Sequence, residues 1–247
     1  MDLSNATPPL SPSPKKNESH QAPKAGVTMS TPVIITLDGN IGAGKSTLLE
    51  AIRHKIPSVT VIPEPVADWL TLKNAEGESL LSLFYKDTPR WAYTFQNCAI
   101  LTRLLETQKI RDTWKQEEGK LPVIITERSV LTDRYVFADM LHKQGKMDDL
   151  EWSLYLKWYE NYAANLPIKG ILYLTTPAKL SQERIGIRGR LGEESIPLDY
   201  LNALESQHES WIGQSPLPCL RISTEGDMDA VANTITSWIH HTILSRD

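Results

Sequence analysis

A glycine-rich segment near residue 40 combines the residue types and spacing that hold phosphate groups. It fits the pattern G-x-x-x-x-G-K-[ST] and comprises Gly39, Asn40, Ile41, Gly42, Ala43, Gly44, Lys45, Ser46 and Thr47. Glycines let the backbone curl so that its N–H groups point at anionic oxygens, and a helix that follows adds its positive end. We expect Lys45 to reach the β- and γ-phosphates of ATP or GTP, and the Ser46 hydroxyl to ligate Mg²⁺. The segment alone does not distinguish among a GTPase, an ATPase and a kinase.

Two acidic residues each follow a short apolar run. Glu64 lies between two prolines after residues 59–62, and Glu127 precedes Arg128 after residues 123–126. A rigidly held Glu64 can serve as the base for a hydroxyl acceptor, although a solvated turn is the alternative. We expect Glu127 to hold the metal directly or through water, and Arg128 to neutralise phosphate charge or to hold Glu64. Either residue alone could also form a surface ion pair.

An arginine-rich segment lies about 150 residues after the phosphate loop. Arg184, Arg188 and Arg190 precede Glu193, and Gly189 supplies a joint between two of the arginines. The pattern predicts a lid that closes over the phosphates, brings positive charge to the transferring group and excludes water. The alternative is a charged helix surface with paired charges four residues apart. Arg184 and Arg188 disfavour that alternative because they place like charges at this spacing.

The elements that must position these residues alternate between strands and helices. Apolar, β-branched runs predict strands at 32–37, 59–62, 123–126, 171–174 and 220–223. Helical patterns lie at 45–56, at 77–114 with an interruption near Pro89, and at 152–165. This order predicts an α/β fold of the P-loop NTPase type: three α/β/α layers, a parallel sheet of about five strands and an arginine-rich lid. Ligands bind beyond the carboxyl ends of such strands, where Glu64 and Glu127 fall.

The length and composition of the chain limit its domain organisation and the kinds of partner it can bind. At 247 residues the chain suits one α/β domain, and we expect a disordered tail over residues 1–31 followed by a folded domain over residues 32–247. The net charge of −4 gives no basic footprint for nucleic acid. The chain contains no apolar run of the roughly 18 residues that a membrane span needs. With two distant cysteines and no signal sequence, we expect a cytoplasmic protein, and Lys15-Lys16 leaves nuclear import open.

In their order along the chain, these motifs resemble those of the deoxyribonucleoside kinase family over about residues 33–212. They are the phosphate loop, Glu64-Pro65-Val66 with Trp69, Tyr85, Arg90-Trp91, Phe95-Gln96, Glu127-Arg128-Ser129, Asp133-Arg134-Tyr135, Arg188-Gly189-Arg190 and Ile196-Pro197-Leu198-Asp199-Tyr200. The resemblance implies Mg²⁺-dependent transfer of a phosphoryl group from ATP, or another nucleoside triphosphate, to the 5′-hydroxyl of a deoxyribonucleoside. It also implies a homodimer.

The resemblance implies roles for two sets of residues. On the acceptor side, Glu64 would be the base with Arg128 beside it, and the sugar and base would contact Trp69, Tyr85, Phe95, Gln96, Phe137 and Glu193. In this set Tyr85 and Glu193 hold the 3′-hydroxyl, and Gln96 pairs with the base edge. On the donor side, the adenine and phosphates of ATP would contact Arg184, Arg188, Arg190 and a loop over residues 224–227 that ends at Asp227.

Arg103 and Asp133 bear on the preferred base. Members of the family that prefer deoxycytidine and deoxypurines carry this pair, whereas thymidine-preferring members have smaller or apolar residues there. A charged pair offers donors and acceptors to an amino-bearing base edge and crowds a methyl group, although a structural salt bridge is the alternative. Phe84 and Asp68 depart from the family pattern, and Leu191-Gly192 shifts the spacing before Glu193.

Two other functions remain open. A nucleoside monophosphate kinase of the thymidylate type would share the fold, but its anionic acceptor calls for extra basic residues and no base. A non-catalytic, ATP-gated interaction protein could use the seven Trp and eight Tyr as a partner surface. The intact set of Lys45, Glu64, Glu127 and Arg128 favours an enzyme.

Overall fold

A computed structural model describes residues 31–246, except for residues 116, 119, 191, 194–195 and 224–226. The described strands are β1 (Val33–Gly39), β2 (Thr60–Ile62), β3 (Val123–Glu127), β4 (Ile168–Leu174) and β5 (Cys219–Ile222). The α-helices are α1 (Lys45–Lys55), α2 (Val66–Thr71), α3 (Leu80–Lys86), α4 (Thr88–Thr113), α5 (Val130–Thr132), α6 (Asp139–Lys143), α7 (Asp149–Trp158), α8 (Ala178–Arg188), α9 (Leu198–Gln214) and α10 (Met228–Trp238). The predicted tail over residues 1–31 lies, but for Thr31, outside the described residues.

The five strands form one parallel sheet in the order β2-β3-β1-β4-β5. The register aligns Leu37 of β1 with Glu127 of β3, and Ile62 of β2 with Thr126 of β3. The carboxyl ends of these three strands therefore meet at one edge of the sheet. This confirms the predicted five-stranded parallel α/β fold.

Apolar side chains cover both faces of the sheet. On one face, Ile35 and Leu37 of β1 belong to a buried cluster with α1 and α10. On the other face, Ile34 belongs to a cluster with Phe95 and Ile100 of α4. Successive strand residues alternate between the two layers because side chains in a strand point to opposite faces. Each fully buried large apolar side chain contributes about 1.5–3 kcal/mol, so the three layers stabilise one another.

The boundaries of several elements differ from those predicted. β4 begins at Ile168, three positions before the predicted start, because the exposed Lys169 interrupts the apolar pattern but not the pairing with β1. α7 begins at Asp149, because the side chain of Asp148 accepts hydrogen bonds from the Leu150 and Glu151 amides and caps the helix. The predicted helix over 152–165 instead ends in a π-helical segment, Tyr159–Ala163.

The predicted interruption near Pro89 is present at Asp87. The Asp87 side chain accepts a hydrogen bond from the Arg90 amide at 3.3 Å, and Pro89 occupies the first turn of α4. α3 and α4 therefore pack side by side as separate helices and direct polar and aromatic side chains into the same cavity. None of the described helices has the length and apolar character needed to cross a bilayer.

Candidate active site

The phosphate loop connects β1 to α1, as predicted. Gly42 and Gly44 have φ of +76° and +96°, and a Cβ on Gly42 would lie 2.4 Å from the Ser181 carbonyl oxygen. Both positions therefore require glycine. The Lys45 ammonium is buried and donates hydrogen bonds to the carbonyl oxygens of Asn40 at 2.7 Å and Gly39 at 3.2 Å. The loop thus surrounds the ammonium group of Lys45, which is the first residue of α1.

The charge of Lys45 depends on its surroundings. Burial, followed by the nearby Arg128 guanidinium, lowers the pKa of Lys45 to about 7, although Glu127 and Glu64 act in the opposite direction. A lysine that has lost most of its hydration gains strongly from a phosphate group, because the anion supplies the missing counter-charge.

Glu64 lies between two arginines just beyond β2. Its Oε1 accepts hydrogen bonds from Arg128 Nη1 at 2.5 Å and from Arg103 Nη2 at 3.2 Å. All three side chains are less than a tenth exposed. We call Arg103–Glu64–Arg128 the inner triad. Burial raises the pKa of Glu64, but Arg128 and Arg103 outweigh burial and bring the pKa to about 2. Glu64 is therefore ionised at neutral pH.

Arg103 connects the inner triad to other parts of the site. Its Nε donates to Asp133 Oδ2 at 2.9 Å, and its Nη1 donates to the Glu127 carbonyl oxygen at 2.7 Å. Arg103 and Arg128 thus balance the charges of Glu64 and Asp133 within one buried network. The contact between Arg103 and Glu64 was not foreseen from the sequence, because 39 positions separate the two residues.

The residues proposed for the metal lie side by side. The Ser46 hydroxyl at the start of α1 donates to Glu127 Oε1 at the end of β3, at 3.0 Å. A hydroxyl and a carboxylate oxygen are the hard donors that Mg²⁺ prefers, and Mg²⁺ commonly completes its shell with water and phosphate oxygens. The described residues include no group of three or more His, Cys, Asp or Glu that could hold a metal ion.

A cavity beside the inner triad, which we call the aromatic cavity, contains every residue predicted to bind the acceptor. These are Glu64, Trp69, Tyr85, Phe95, Gln96, Arg103, Arg128, Asp133, Phe137 and Glu193. Buried Gln96 is notable because its Oε1 has no hydrogen-bond partner among the described residues. A buried carbonyl oxygen without a partner is costly, so Gln96 is suited to accept a hydrogen bond from a ligand.

The aromatic rings of this cavity support one another. Phe84 stacks on Phe95 with ring centroids 4.5 Å apart, and Trp69 and Phe95 form a T-shaped pair with centroids 5.3 Å apart. The Arg128 guanidinium lies 4.9 Å from the centroid of the Phe137 ring. One face of Phe95 and one face of Phe137 are thus covered by protein. The stacking of Phe84 on Phe95 was not predicted, since the sequence showed only that Phe84 departs from the family pattern.

The predicted lid segment is the end of α8 and the turn after it. Gly189 ends the helix with φ of +59°, and Arg188 and Arg190 on either side of it both form ion pairs with Glu193. The Arg190–Glu193 distance is 3.0 Å. We call Arg188–Glu193–Arg190 the outer triad. Its glutamate is buried, whereas the side chains of Arg188 and Arg190 are 34% and 27% exposed. Movement of this segment as a lid stays a prediction.

A groove beside the phosphate loop adjoins the aromatic cavity. It is lined by residues of the loop, α1, α8, β5 and α10, and it shares Lys45, Glu127, Arg188 and Arg190 with the cavity. Arg184 lines the groove and donates to the Ala43 carbonyl oxygen at 3.1 Å. Leu191 and residues 224–226 of the predicted adenine loop lie outside the described residues, whereas Asp227 caps α10.

The Arg128 backbone is unusual. Its φ is +59°, and it is the only non-glycine residue with positive φ in the part of the chain that the structure describes. This left-handed conformation costs roughly 1–2 kcal/mol for a residue with a side chain. Asp38, Thr132 and Ser129 lie close by in a buried hydrogen-bond network that sequence reasoning missed. The only signal for it was Asp38 at the end of an apolar strand.

Comparisons with known proteins agree with this geometry. The family model described as deoxynucleoside kinase matches residues 35–243. Deoxycytidine kinase from Homo sapiens is 36% identical over 194 residues, covering 72% of this chain and 74% of that protein. Deoxycytidine kinase 2 from Gallus gallus is 38% identical over 194 residues, covering 72% and 73%. A mitochondrial deoxyguanosine kinase from Xenopus laevis is 30% identical over 221 residues, covering 79% and 82%. The sheet order, the phosphate loop and these matches together show that the chain belongs to the deoxynucleoside kinase family.

Proposed function

We propose that this enzyme transfers the γ-phosphoryl group of ATP to the 5′-hydroxyl of a deoxyribonucleoside, with deoxycytidine or a deoxypurine nucleoside preferred. The observation that carries the proposal is the inner triad: an ionised Glu64 lies between two arginines, where the phosphate-loop groove meets the aromatic cavity. A carboxylate there can receive the proton of a hydroxyl acceptor while the arginines and Lys45 stabilise the phosphoryl group.

The low pKa of Glu64 limits what it can do as a base. A carboxylate with a pKa of about 2 is a weak proton acceptor for a hydroxyl in the ground state. Phosphoryl transfer passes through a loose transition state, so strong nucleophile activation is not required. We therefore assign Glu64 to orienting the 5′-hydroxyl and taking its proton late in the reaction. Arg128 holds Glu64 in position for both tasks.

On the donor side, we propose that the loop amides and Lys45 bind the phosphates and that Arg188 and Arg190 contact the transferring group. Ser46 and Glu127 would hold Mg²⁺, which neutralises charge on the β- and γ-phosphates when bound. The 3.0 Å contact between these two side chains supports a shared metal shell. Arg184, next to the loop in the groove, would contact the adenine.

The acceptor preference rests on Arg103 and Asp133, with Gln96 as the contact to the base edge. The unpartnered Oε1 of Gln96 suits a base edge that donates a hydrogen bond, which the amino groups of cytosine and adenine and the N3–H of thymine all do, so Gln96 alone does not select among them. We expect the buried Arg103–Asp133 pair, which lines the same cavity, to crowd a 5-methyl group. Because the pair also neutralises charge within the inner triad, a structural role for it stays the alternative.

The charges of the aromatic cavity favour a neutral nucleoside over a nucleoside monophosphate. Arg103 and Arg128, the two arginines beside Glu64, are balanced by the buried carboxylates of Glu64 and Asp133. An anionic acceptor would need basic residues that are not balanced in this way.

Turnover of the four deoxyribonucleosides and deoxycytidine monophosphate with ATP and Mg²⁺ tests the proposal. We expect deoxycytidine or a purine nucleoside to be preferred. A preference for thymidine would contradict the base assignment, and turnover of the monophosphate alone would contradict the reaction.

We also propose that the enzyme is a homodimer that uses an exposed apolar stripe on two adjacent helices. The stripe comprises Leu101 and Leu105 of α4, Leu150, Leu154 and Trp158 of α7, and Tyr162. Members repeat every four residues along each helix, and α4 contacts α7, so the side chains form one face. A self-complementary face of this kind suits a second copy of the chain. Light scattering should find that Leu154→Lys is a monomer. The control variant Leu72→Lys, whose exposed leucine lies outside the stripe, should remain a dimer. A dimer in both variants would contradict the use of this face.

A further inference from the structure

Asp38 is a fully buried carboxylate to which the proposed reaction assigns no role. It lies near the end of β1, directly before the phosphate loop, with no exposed surface. Its Oδ2 accepts a hydrogen bond from the Thr36 hydroxyl at 2.7 Å, and its Oδ1 accepts one from the Thr132 hydroxyl. Burial raises the pKa of Asp38, and the two hydrogen bonds and the nearby Arg128 act against this. Asp38 forms no ion pair with the residues that the structure describes, and burying a carboxylate without one costs free energy, so a specific task for it is expected.

The task follows from the single proton of the Thr132 hydroxyl. The Thr132 hydroxyl donates this proton to Asp38 Oδ1. The lone pairs of Thr132 Oγ1 are then free to accept, and the Ser129 amide donates to this oxygen at 3.1 Å. Asp38 thus determines which way the Thr132 hydroxyl points, although it does not touch Ser129 itself.

The Ser129 amide immediately follows Arg128, the residue in the left-handed conformation. The amide of Arg128 itself donates to the Leu37 carbonyl oxygen at 2.9 Å. The two amides that flank the Arg128 α-carbon are therefore both tied to β1, one directly and the other through Thr132 and Asp38. This arrangement holds the backbone of Arg128 while its Nη1 contacts Glu64 at 2.5 Å.

We propose that Asp38 is a positioning residue for Arg128. By orienting the Thr132 hydroxyl, it fixes the Ser129 amide and keeps Arg128 in the left-handed conformation that directs its guanidinium at Glu64. The inference rests on the proposed function, in which Arg128 holds the catalytic Glu64. An error of about 1 Å in placing a catalytic group can lower turnover by about 10²-fold, so a support of this kind matters for catalysis.

Two threonines that bind the same carboxylate provide a matched test. Thr36 and Thr132 are both fully buried, and each donates its hydroxyl proton to Asp38, but only Thr132 contacts the Ser129 amide. Thr132→Val should lower kcat by roughly 10- to 100-fold, with the KM for ATP changed less than about threefold. Thr36→Val should keep kcat within about threefold of the wild type. Thr132→Ser, which retains the hydroxyl, should restore turnover.

A double-variant measurement separates positioning from general stability. If Thr132 acts through Arg128, Thr132→Val should lower kcat no further in an Arg128→Lys background. Circular dichroism and thermal unfolding establish that each variant is folded. Should Thr132→Val not fold, Asp38→Asn takes its place, because the neutral amide no longer dictates the direction of the Thr132 proton.

The outcomes distinguish this inference from the proposed function. No phosphoryl transfer to any deoxyribonucleoside by the wild type would contradict the proposed function, whereas wild-type turnover of Arg128→Lys would contradict only the role of Arg128 and the positioning that depends on it. Slow turnover of Arg128→Lys together with wild-type turnover of Thr132→Val would overturn the positioning role alone. Equal losses in Thr36→Val and Thr132→Val, or fully additive losses in the double variant, would also overturn it, because these results indicate a structural contribution only.

Discussion

The inner and outer triads have the same composition but different surroundings. In each, one glutamate lies between two arginines, and both triads line the aromatic cavity. The inner triad draws its residues from the end of β2, from α4 and from the end of β3, and all of its side chains are buried. The outer triad lies within six consecutive residues that begin with Arg188, the last residue of α8, and its arginines are about one third exposed.

The difference indicates different tasks. Buried ion pairs on a sheet edge and a long helix keep one geometry, because breaking them leaves an uncompensated charge in the interior. Ion pairs with exposed arginines on a turn exchange partners at low cost, since water and phosphate can replace the carboxylate. We infer that the inner triad fixes the acceptor side, whereas the outer triad releases its arginines to the donor phosphates.

The stability of two isosteric variants gives the largest expected contrast. Glu64→Gln removes the counter-charge of two buried arginines and should lower the free energy of unfolding by about 3–5 kcal/mol. Glu193→Gln should lower it by about 1 kcal/mol or less, because solvent screens the partly exposed arginines. Urea unfolding of both variants measures the contrast, and equal losses would show that the two triads are energetically alike.

Turnover should also separate the two glutamates. We expect Glu64→Ala to lower kcat by about 10²-fold or more, because the group that receives the hydroxyl proton is lost, with ATP affinity little changed. Glu193→Ala should act mainly on the KM for the nucleoside if it binds the sugar 3′-hydroxyl. Steady-state kinetics with deoxycytidine and ATP check both. Turnover like the wild type in Glu64→Ala would remove this residue from the mechanism.

The pH dependence of stability sharpens the contrast further. The pKa of Glu64 is about 2 in the folded protein and 4.5 in the unfolded chain. Its contribution is therefore complete above the unfolded value and is lost as the pH falls towards the folded value. Between pH 6 and pH 3.5, the stability difference between wild type and Glu64→Gln should shrink by about 1.4 kcal/mol. A difference that is constant over this range would contradict the depressed pKa.

The smallest expected effect concerns an outer arginine. Arg190→Gln breaks one partly exposed ion pair and should change the free energy of unfolding by less than about 1 kcal/mol. The same change should raise the KM for ATP, because Arg190 lines the phosphate-loop groove as well as the cavity. ATP kinetics together with thermal unfolding test this division. A large loss of stability with an unchanged KM would indicate a structural arginine.

Local sequence patterns were sufficient for the features that depend on neighbouring residues. The spacing of glycines, Lys45 and Ser46 predicted the phosphate loop, since turn conformation and the start of a helix are properties of adjacent residues. Apolar periodicity predicted the five parallel strands, although Lys169 concealed the start of β4 and the cap at Asp148 extended α7 beyond its predicted start. The segment that forms the outer triad could also be predicted, because its three members lie within six consecutive residues.

The contacts between distant residues were decided only by the tertiary structure. The sequence by itself determined that Glu64 and Arg128 each follow a strand, and thus that they lie at the same edge of a parallel sheet, whereas the structure placed the two strands side by side. It did not determine that Arg103 joins them from α4 or that Asp38 supports Arg128 through Thr132. Buried charges and hydrogen bonds are set by which side chains the packed core brings within about 3 Å, and a residue's type and spacing do not specify that partner.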